Sequence, residues 1–257
     1  MNLSKYLKTA RMVWGGTVNG GVAYLLPCFL LRVVYLLPLL LLWRSLMAGG
    51  VDVGMTLEQM LAYTYLGAVF SEILVVRTPA SHWLYEGLIV SLYQRPMGVL
   101  AHLAAQTVGG WLPALTLFSL PMLLLAPVLG VSLAFHSLWF VPSLLLCISL
   151  GFAADFLFAC LTIRMKNASW LVYSIRMAIV SLLSGSVIPF AVLPWGLGKV
   201  FQFLPLGSLA GAPLSIYTGL AEPGGMIALQ LLWNVLLWPA AVVTFQKSGE
   251  RMVSHGG

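Results

Sequence analysis

The sequence predicts an all-α polytopic membrane protein with six transmembrane helices. Three observations carry that prediction. Hydrophobic residues make up 60% of the 257, charged residues only 8%, and the mean hydropathy is +0.97. A soluble domain carries about 25% charged residues. The apolar residues are gathered into runs of about 20, the length that crosses a bilayer as a helix. The basic residues fall almost entirely in alternate connections, the asymmetry expected of a chain threaded through a membrane. The whole of 1–257 therefore reads as a single transmembrane domain with no sizeable soluble part.

Residues 1–20 predict an interfacial helix. Leu3, Tyr6, Leu7, Ala10 and Trp14 share one face, and Lys5, Lys8 and Arg11 supply positive charge. Such a helix lies among lipid headgroups and favours anionic lipid. A cleaved signal peptide is the alternative. Against it, the next apolar run is too long for a signal core and lacks a clear small-residue cleavage site.

The first span covers 24–46 and contains Arg32; a turn with Gly49, Gly50, Asp52 and Gly54 follows. The second covers 60–76 and contains Glu72. Residues 77–98 form a loop with an amphipathic helix. Pro79 and Ser81 mark its start, since proline suits a first turn and serine caps free N–H groups. Leu84, Leu88 and Leu92 recur every four residues beside Tyr85, Ile89 and Tyr93, which makes one apolar face. Pro96 ends the pattern. Periodicity leaves two readings open, an ordinary interfacial helix and a lever pushed by a soluble partner.

The third span covers 100–125, with His102 and Gln106 near its start and Gly109, Gly110, Pro113 and Pro121 inside. An uncharged turn at 130–137 leads to the fourth span, 138–163, which carries Asp155. Arg164, Lys166 and Asn167 form a basic turn before the fifth span, 169–188, which carries Arg176. Residues 189–224 contain Pro189, Pro194, Pro205, Pro213 and Pro223 with short apolar pieces between them. Those pieces are too short to cross and too apolar to be solvated, so short broken helices dipping into one leaflet are expected. The sixth span is 226–245, and 246–257 reads as a polar tail.

Six spans place both termini on one side. That side holds Lys5, Lys8, Arg11, Arg77, Arg95, Arg164, Lys166, Lys247 and Arg251, against Arg44 and Lys199 on the other. Positive residues mark the cytoplasm, so the termini and the 77–98 loop are expected there and 189–224 outside. The net charge of +6 is then a consequence of topology and does not call for nucleic acid.

Arg32, Glu72, Asp155 and Arg176 remain within spans. Each costs about 2.5 to 3.5 kcal/mol on insertion scales and needs a partner or water. Arg32 lies fourteen positions before residue 46 and Glu72 twelve after residue 60, in antiparallel spans. Asp155 lies eight before residue 163 and Arg176 seven after residue 169. Equal depths predict two ion pairs, Arg32–Glu72 and Asp155–Arg176. They either pin neighbouring helices or line a polar gate. Ser174, Ser181, Ser184 and Thr64 are candidates for a pathway lining or for helix packing.

No Gly-rich loop ending in Lys and Ser or Thr is present, nor a His-Glu-x-x-His helix or a Gly-x-Ser-x-Gly elbow. His82, His102, His136 and His255 share no metal-like spacing, and Cys28, Cys147 and Cys160 lie singly in apolar runs.

The arrangement resembles the membrane subunits of bacterial type 2 ABC exporters. Local sequence supports this in two stretches. Glu86, Gly87, Leu88, Leu92, Tyr93, Gln94, Arg95, Pro96 and Met97 are similar to a family pattern Gly-Glu-Leu…Leu-Leu-Arg-Pro-Leu, with the first two residues in reverse order. Gly185 to Pro189, Phe203-Leu204-Pro205 and Pro213 are similar to the segment before the family's last span. The resemblance implies an inner-membrane permease with no cofactor and no enzymatic activity of its own. Two soluble ATPase subunits would hold ATP and Mg, and a second permease chain, identical or paralogous, would complete the pathway. Leu84, Glu86, Gly87, Leu88, Leu92, Arg95 and Pro96 would form the coupling helix that docks on the ATPase. Pro189, Pro205 and Pro213 would shape an extracytoplasmic cap. The substrate would be amphipathic: a drug, a peptide or a lipid-like molecule. An ion-gradient-driven carrier and a non-transport membrane subunit remain alternatives, although no repeat relates the two halves.

Overall fold

A computed structural model of the chain describes residues 3–19, 22–51, 53–165 and 169–254. The described residues form helices, turns and bends, without a strand. Among the described residues four helices are long and apolar enough to cross a membrane, and a bent pair, 194–203 with 206–217, would make a fifth if counted as one span. A multi-pass helical membrane protein is the architecture these lengths describe, because a helix bonds its own backbone in lipid.

Helix α1, Leu3–Asn19, lies against α7. Its contact is close because α7 offers Gly109; a Cβ there would sit 2.5 Å from the Ala10 carbonyl oxygen. Thr9 is buried on this side, whereas Leu7 and Trp14 are exposed. The single apolar face expected for α1 is thus divided between the protein and its surroundings. The Leu3 side chain lies outside the described residues.

Helix α2, Val22–Ala48, is the most exposed of the long helices and spreads Leu26, Leu30, Val34 and Leu41 outward. Helix α3, Leu57–Val69, does the opposite. It starts in a capping box, in which the Gln59 N–H donates to Thr56 Oγ1 and the Thr56 N–H donates to Gln59 Oε1. Nearly every residue from Met60 to Val69 is buried. Such all-round burial is possible only for a helix surrounded by others. The chain breaks at Phe70 and resumes as α4, Ser71–Leu74, so the second predicted span comprises two shorter helices.

The 77–98 loop departs from its expected form. Two short helices, α5 (Ala80–Tyr85) and α6 (Val90–Tyr93), replace one continuous helix over 81–95. Gly87 between them has φ of 77°, a conformation costly for any residue with a Cβ. Leu84, Ile89 and Leu92 are buried together, while Leu88 is exposed, so the four-residue leucine spacing does not define one face. The start is capped by neither Pro79 nor Ser81; Thr78 Oγ1 accepts from the Ala80 N–H at 3.2 Å.

Helix α7, Val99–Ala114, continues through a π-turn, Leu115–Ser119, into α8, Leu120–Leu125. Pro113 and Pro121 cannot donate to the helical ladder. Between them the Leu120 N–H reaches back to the Leu115 carbonyl, five residues earlier, which widens the turn.

Helix α9, Phe140–Arg164, packs against α4, α5 and three helices that follow it in the chain. Helix α10, Ser169–Leu183, has an apolar stretch shorter than a full crossing. Lys166 and Asn167 of the expected basic turn lie outside the described residues. Residues 190–217 do form short broken helices: α11, Leu197–Phe203, and α12, Gly211–Tyr217, with three-residue 3-10 turns around them. Their close packing requires glycine: a Cβ on Gly198 or Gly207 would meet a neighbouring carbonyl oxygen at 2.0 and 1.8 Å. Helix α13, Pro223–Ser254, runs past the expected end of the sixth span, so the described part of 246–257 is helix rather than tail.

The main core joins Leu84, Ile89 and Leu92 to Phe156 and Ala159 of α9 and to Ala241 and Phe245 of α13. A second core holds α2 to α3 and the π-turn; a third holds α3 and α9 to the broken segment.

Candidate functional site

After α4 the backbone runs without regular structure through Val76, Arg77 and Thr78. Non-helical peptide inside a membrane protein needs partners for its own polar groups. Asp155 and Arg176 supply them. The Arg176 guanidinium donates to the Val76 carbonyl at 2.6 Å and lies 2.7 Å from Asp155 Oδ1. Asp155 Oδ2 accepts from the Thr78 N–H at 2.8 Å and from its hydroxyl at 2.6 Å. Gly151, one turn from Asp155 on α9, makes room for this non-helical stretch; a Cβ there would lie 2.6 Å from Val76 Cγ2. Asp155 and Arg176, placed level by counting residues, therefore meet, and they meet around the backbone that leads into α5.

The other counted pair also meets. Arg32 of α2 donates to Glu72 of α4, and its guanidinium sits 5.3 Å from the centroid of the Phe118 ring. Arg77 stands 3.8 Å from the same Glu72 oxygen, beyond hydrogen-bond reach. Thr78 was not singled out by sequence, and Arg77 was read only as one of the cytoplasmic charges; the signal available was two polar residues within the Val-Arg-Thr-Pro exit from an apolar run.

The residues expected to couple to an ATPase divide into two sets. Leu84 and Leu92 are in the core, and Gly87 makes the bend. Glu86, Leu88, Arg95 and Pro96 are exposed, as are Tyr85 and Tyr93. Glu86 lies 3.2 Å from His82 Nε2, and Arg95 lies 3.3 Å from His102 Nε2. Partial burial, then the Glu250 carboxylate, pushes the Tyr93 phenol up, so it stays a neutral donor. Its hydroxyl would lie 2.5 Å from a Cβ on Gly249, near the end of α13. Thr9 of α1 approaches Met97 at 4.0 Å. Helix α1, the α5–α6 pair and the end of α13 thus share one end of the molecule.

At the other end Pro189 and Pro213 are buried, and Pro205 is half-buried. The broken segment is tied down by hydrogen bonds. Tyr63 donates to the Gly185 carbonyl at 2.6 Å, and the Gly211 N–H donates to the Ser184 carbonyl at 2.7 Å. Gln230 of α13 donates to Ser143 and Ser208 carbonyls at 3.1 and 2.9 Å; Asn234, one turn on, donates to Leu146 at 3.2 Å. Two amides four apart in an apolar run were a legible signal for this anchor. Thr64 is buried, whereas Ser174 and Ser181 lie exposed on α10 and bond their own helix carbonyls. Ser184 bonds Ser186 at 2.9 Å. These four do not line a common path.

Among the described residues no group of three His, Cys, Asp or Glu side chains could hold a metal ion. The arrangement fixes an exposed helix pair to the interior. Compared with known proteins, the sequence matches no family model and no curated protein.

Proposed function

We propose that this chain is the membrane-spanning permease of an ATP-driven type 2 ABC exporter, moving an amphipathic substrate out of the cytoplasm. The observation that carries the reading is the α5–α6 pair. One side of it is buried against α9 and α13, and its entrance is bound to α9 and α10 through Thr78, Asp155 and Arg176. The other side leaves Tyr85, Glu86, Leu88, Val90 and Tyr93 exposed. A partner pressing on that surface would move the long helices with it. In this reading the chain crosses the inner membrane six times, with α3–α4 and α10 as the shorter crossings and both termini in the cytoplasm. Two ATPase subunits carrying ATP and Mg dock on α5–α6, a second permease chain faces this one, and 189–224 caps the outer end through Pro189, Pro205 and Pro213.

The test is a mild-detergent pull-down through a tag at the end of α13, read by mass spectrometry. Recovery of a stoichiometric ATPase with a phosphate-binding loop, abolished by Glu86→Arg with Leu88→Asp, supports the proposal. Recovery of this chain alone across several detergents overturns it and favours a gradient-driven carrier.

A further inference from the structure

Beside the non-helical 76–78 stretch lies a cavity of about 280 Å³ whose walls include Arg77, Thr78, Ser81, Tyr173 and Arg176. That volume is at the small end for ligand sites and suits a head group better than a whole drug-sized molecule. Its walls are rich in donors. The lining carboxylate, Asp155, already has both oxygens engaged by Arg176 and Thr78. Arg77 has no such partner, since the nearest Glu72 oxygen is 3.8 Å away and is taken by Arg32. Arg32, Arg77 and Arg176 thus face Glu72 and Asp155 alone in this cluster, leaving one cation in excess. His82 at the rim is held by Glu86. A second observation agrees: Arg176, 93% buried, has a buried Nε without a hydrogen-bond partner among the described residues. An orphaned guanidinium donor and a surplus positive charge beside a small cavity call for an anion with several acceptor oxygens.

We propose that this cavity binds a phosphate group, with Arg77 as the principal charge partner and Arg176 and the Ser81 and Tyr173 hydroxyls as available donors. The phosphate belongs either to the head group of an anionic lipid or to a free phosphate compound. Exposed Trp170 and Tyr173, three residues apart on α10, provide an apolar flank along which a lipid chain can lie. Binding of this kind is independent of whether the chain works with an ATPase.

Native mass spectrometry of the purified full chain tests it, with phosphatidylglycerol, phosphatidylcholine and inorganic pyrophosphate as probes. Wild type retains one phosphate-bearing molecule, and Arg77→Gln weakens its retention about fivefold. Lys199→Gln, which removes an exposed cation elsewhere, leaves it unchanged. Retention of phosphatidylglycerol over phosphatidylcholine, without displacement by pyrophosphate, assigns a lipid head group. Binding of pyrophosphate itself, with the same sensitivity to Arg77→Gln, assigns a free phosphate. Ser81→Phe fills the cavity while leaving Arg77, Asp155 and Arg176 unsubstituted, and gives the same loss if Arg77→Gln does not fold. Binding of none of these probes, retention unchanged in both variants, or equal loss in Arg77→Gln and Lys199→Gln overturns the proposal.

Discussion

At the scale of single residues, the Asp155–Arg176 pair shows what one buried charge has to accomplish. It neutralises a guanidinium and also satisfies an N–H and a hydroxyl of Thr78. Asp155→Asn removes the charge and leaves Arg176 buried without it, a loss of about 3 to 5 kcal/mol where a buried pair is broken on one side. Thermal unfolding in detergent is expected to fall accordingly, and Arg176→Gln in the same chain to recover part of it. A double variant less stable than the sum of the singles would show that the two groups do not act together. These contacts were half legible in the sequence. Counting from span ends set Asp155 level with Arg176, because helical rise is fixed. Counting could not reveal Thr78, whose part depends on the chain leaving the helix at Leu74.

For the elements, burial overrode periodicity in the α5–α6 pair. Leu84, Leu88 and Leu92 are spaced for one helical face, yet Ile89 and Leu92 join Leu84 in the core because Gly87 turns the chain between Leu84 and them. Gly87→Ala meets open space, so its cost is in the backbone alone, about 1 to 2 kcal/mol. The expected result is a lower melting temperature with unchanged expression, and Gly87→Asn, which tolerates positive φ better, is expected to lose less. Helix α1 rests on a different glycine. Gly109→Leu drives a side chain into the Ala10 backbone and is expected to release α1 from α7. Hydrogen exchange would then rise across 3–19 and stay slow across 140–164; protection of both would mean that α1 is held elsewhere. The amphipathic pattern of 1–20 gave the helix but not this seat, since Thr9 and Ala10 are too small and mixed in character to announce a contact face.

For the whole molecule, the long apolar runs were read directly, and the two segments that differ most are those with the fewest apolar residues to spare. Residues 57–74 are interrupted at Phe70, and α10 stops at Leu183 before the bend around Gly185. Neither break is visible to a hydropathy window, because the residues at both are apolar or small. The broken form of 189–224 was legible because proline removes donors at known positions. Sidedness is open to a chemical test. Cys28 is exposed and Cys147 and Cys160 are buried, so Cys28→Ser gives a background of low reactivity. In that background Lys199→Cys is expected to react with a membrane-impermeant maleimide on intact cells, and Glu86→Cys only after permeabilisation. The reverse pattern would invert the proposed topology.

The widened turn at Leu115–Ser119 has a consequence for how this protein tolerates change in length. The turn accommodates one residue more than a regular helix would over the same rise, and everything after it is rotated by that residue's share of a turn, about 100°. Phe118 and Met122 reach the α2–α3 core, and the Ser119 hydroxyl reaches the Val69 carbonyl at 2.8 Å, in that rotated register. Removing one residue from 115–119 would leave a straighter, better-bonded helix and a worse protein, with Met122 swung away from Tyr65. Adding back a residue between Gly109 and Phe118 would restore the fit while leaving the α1 contact in register. Compensating insertions and deletions within this helix are therefore expected to rescue one another, as frameshifts do in a reading frame.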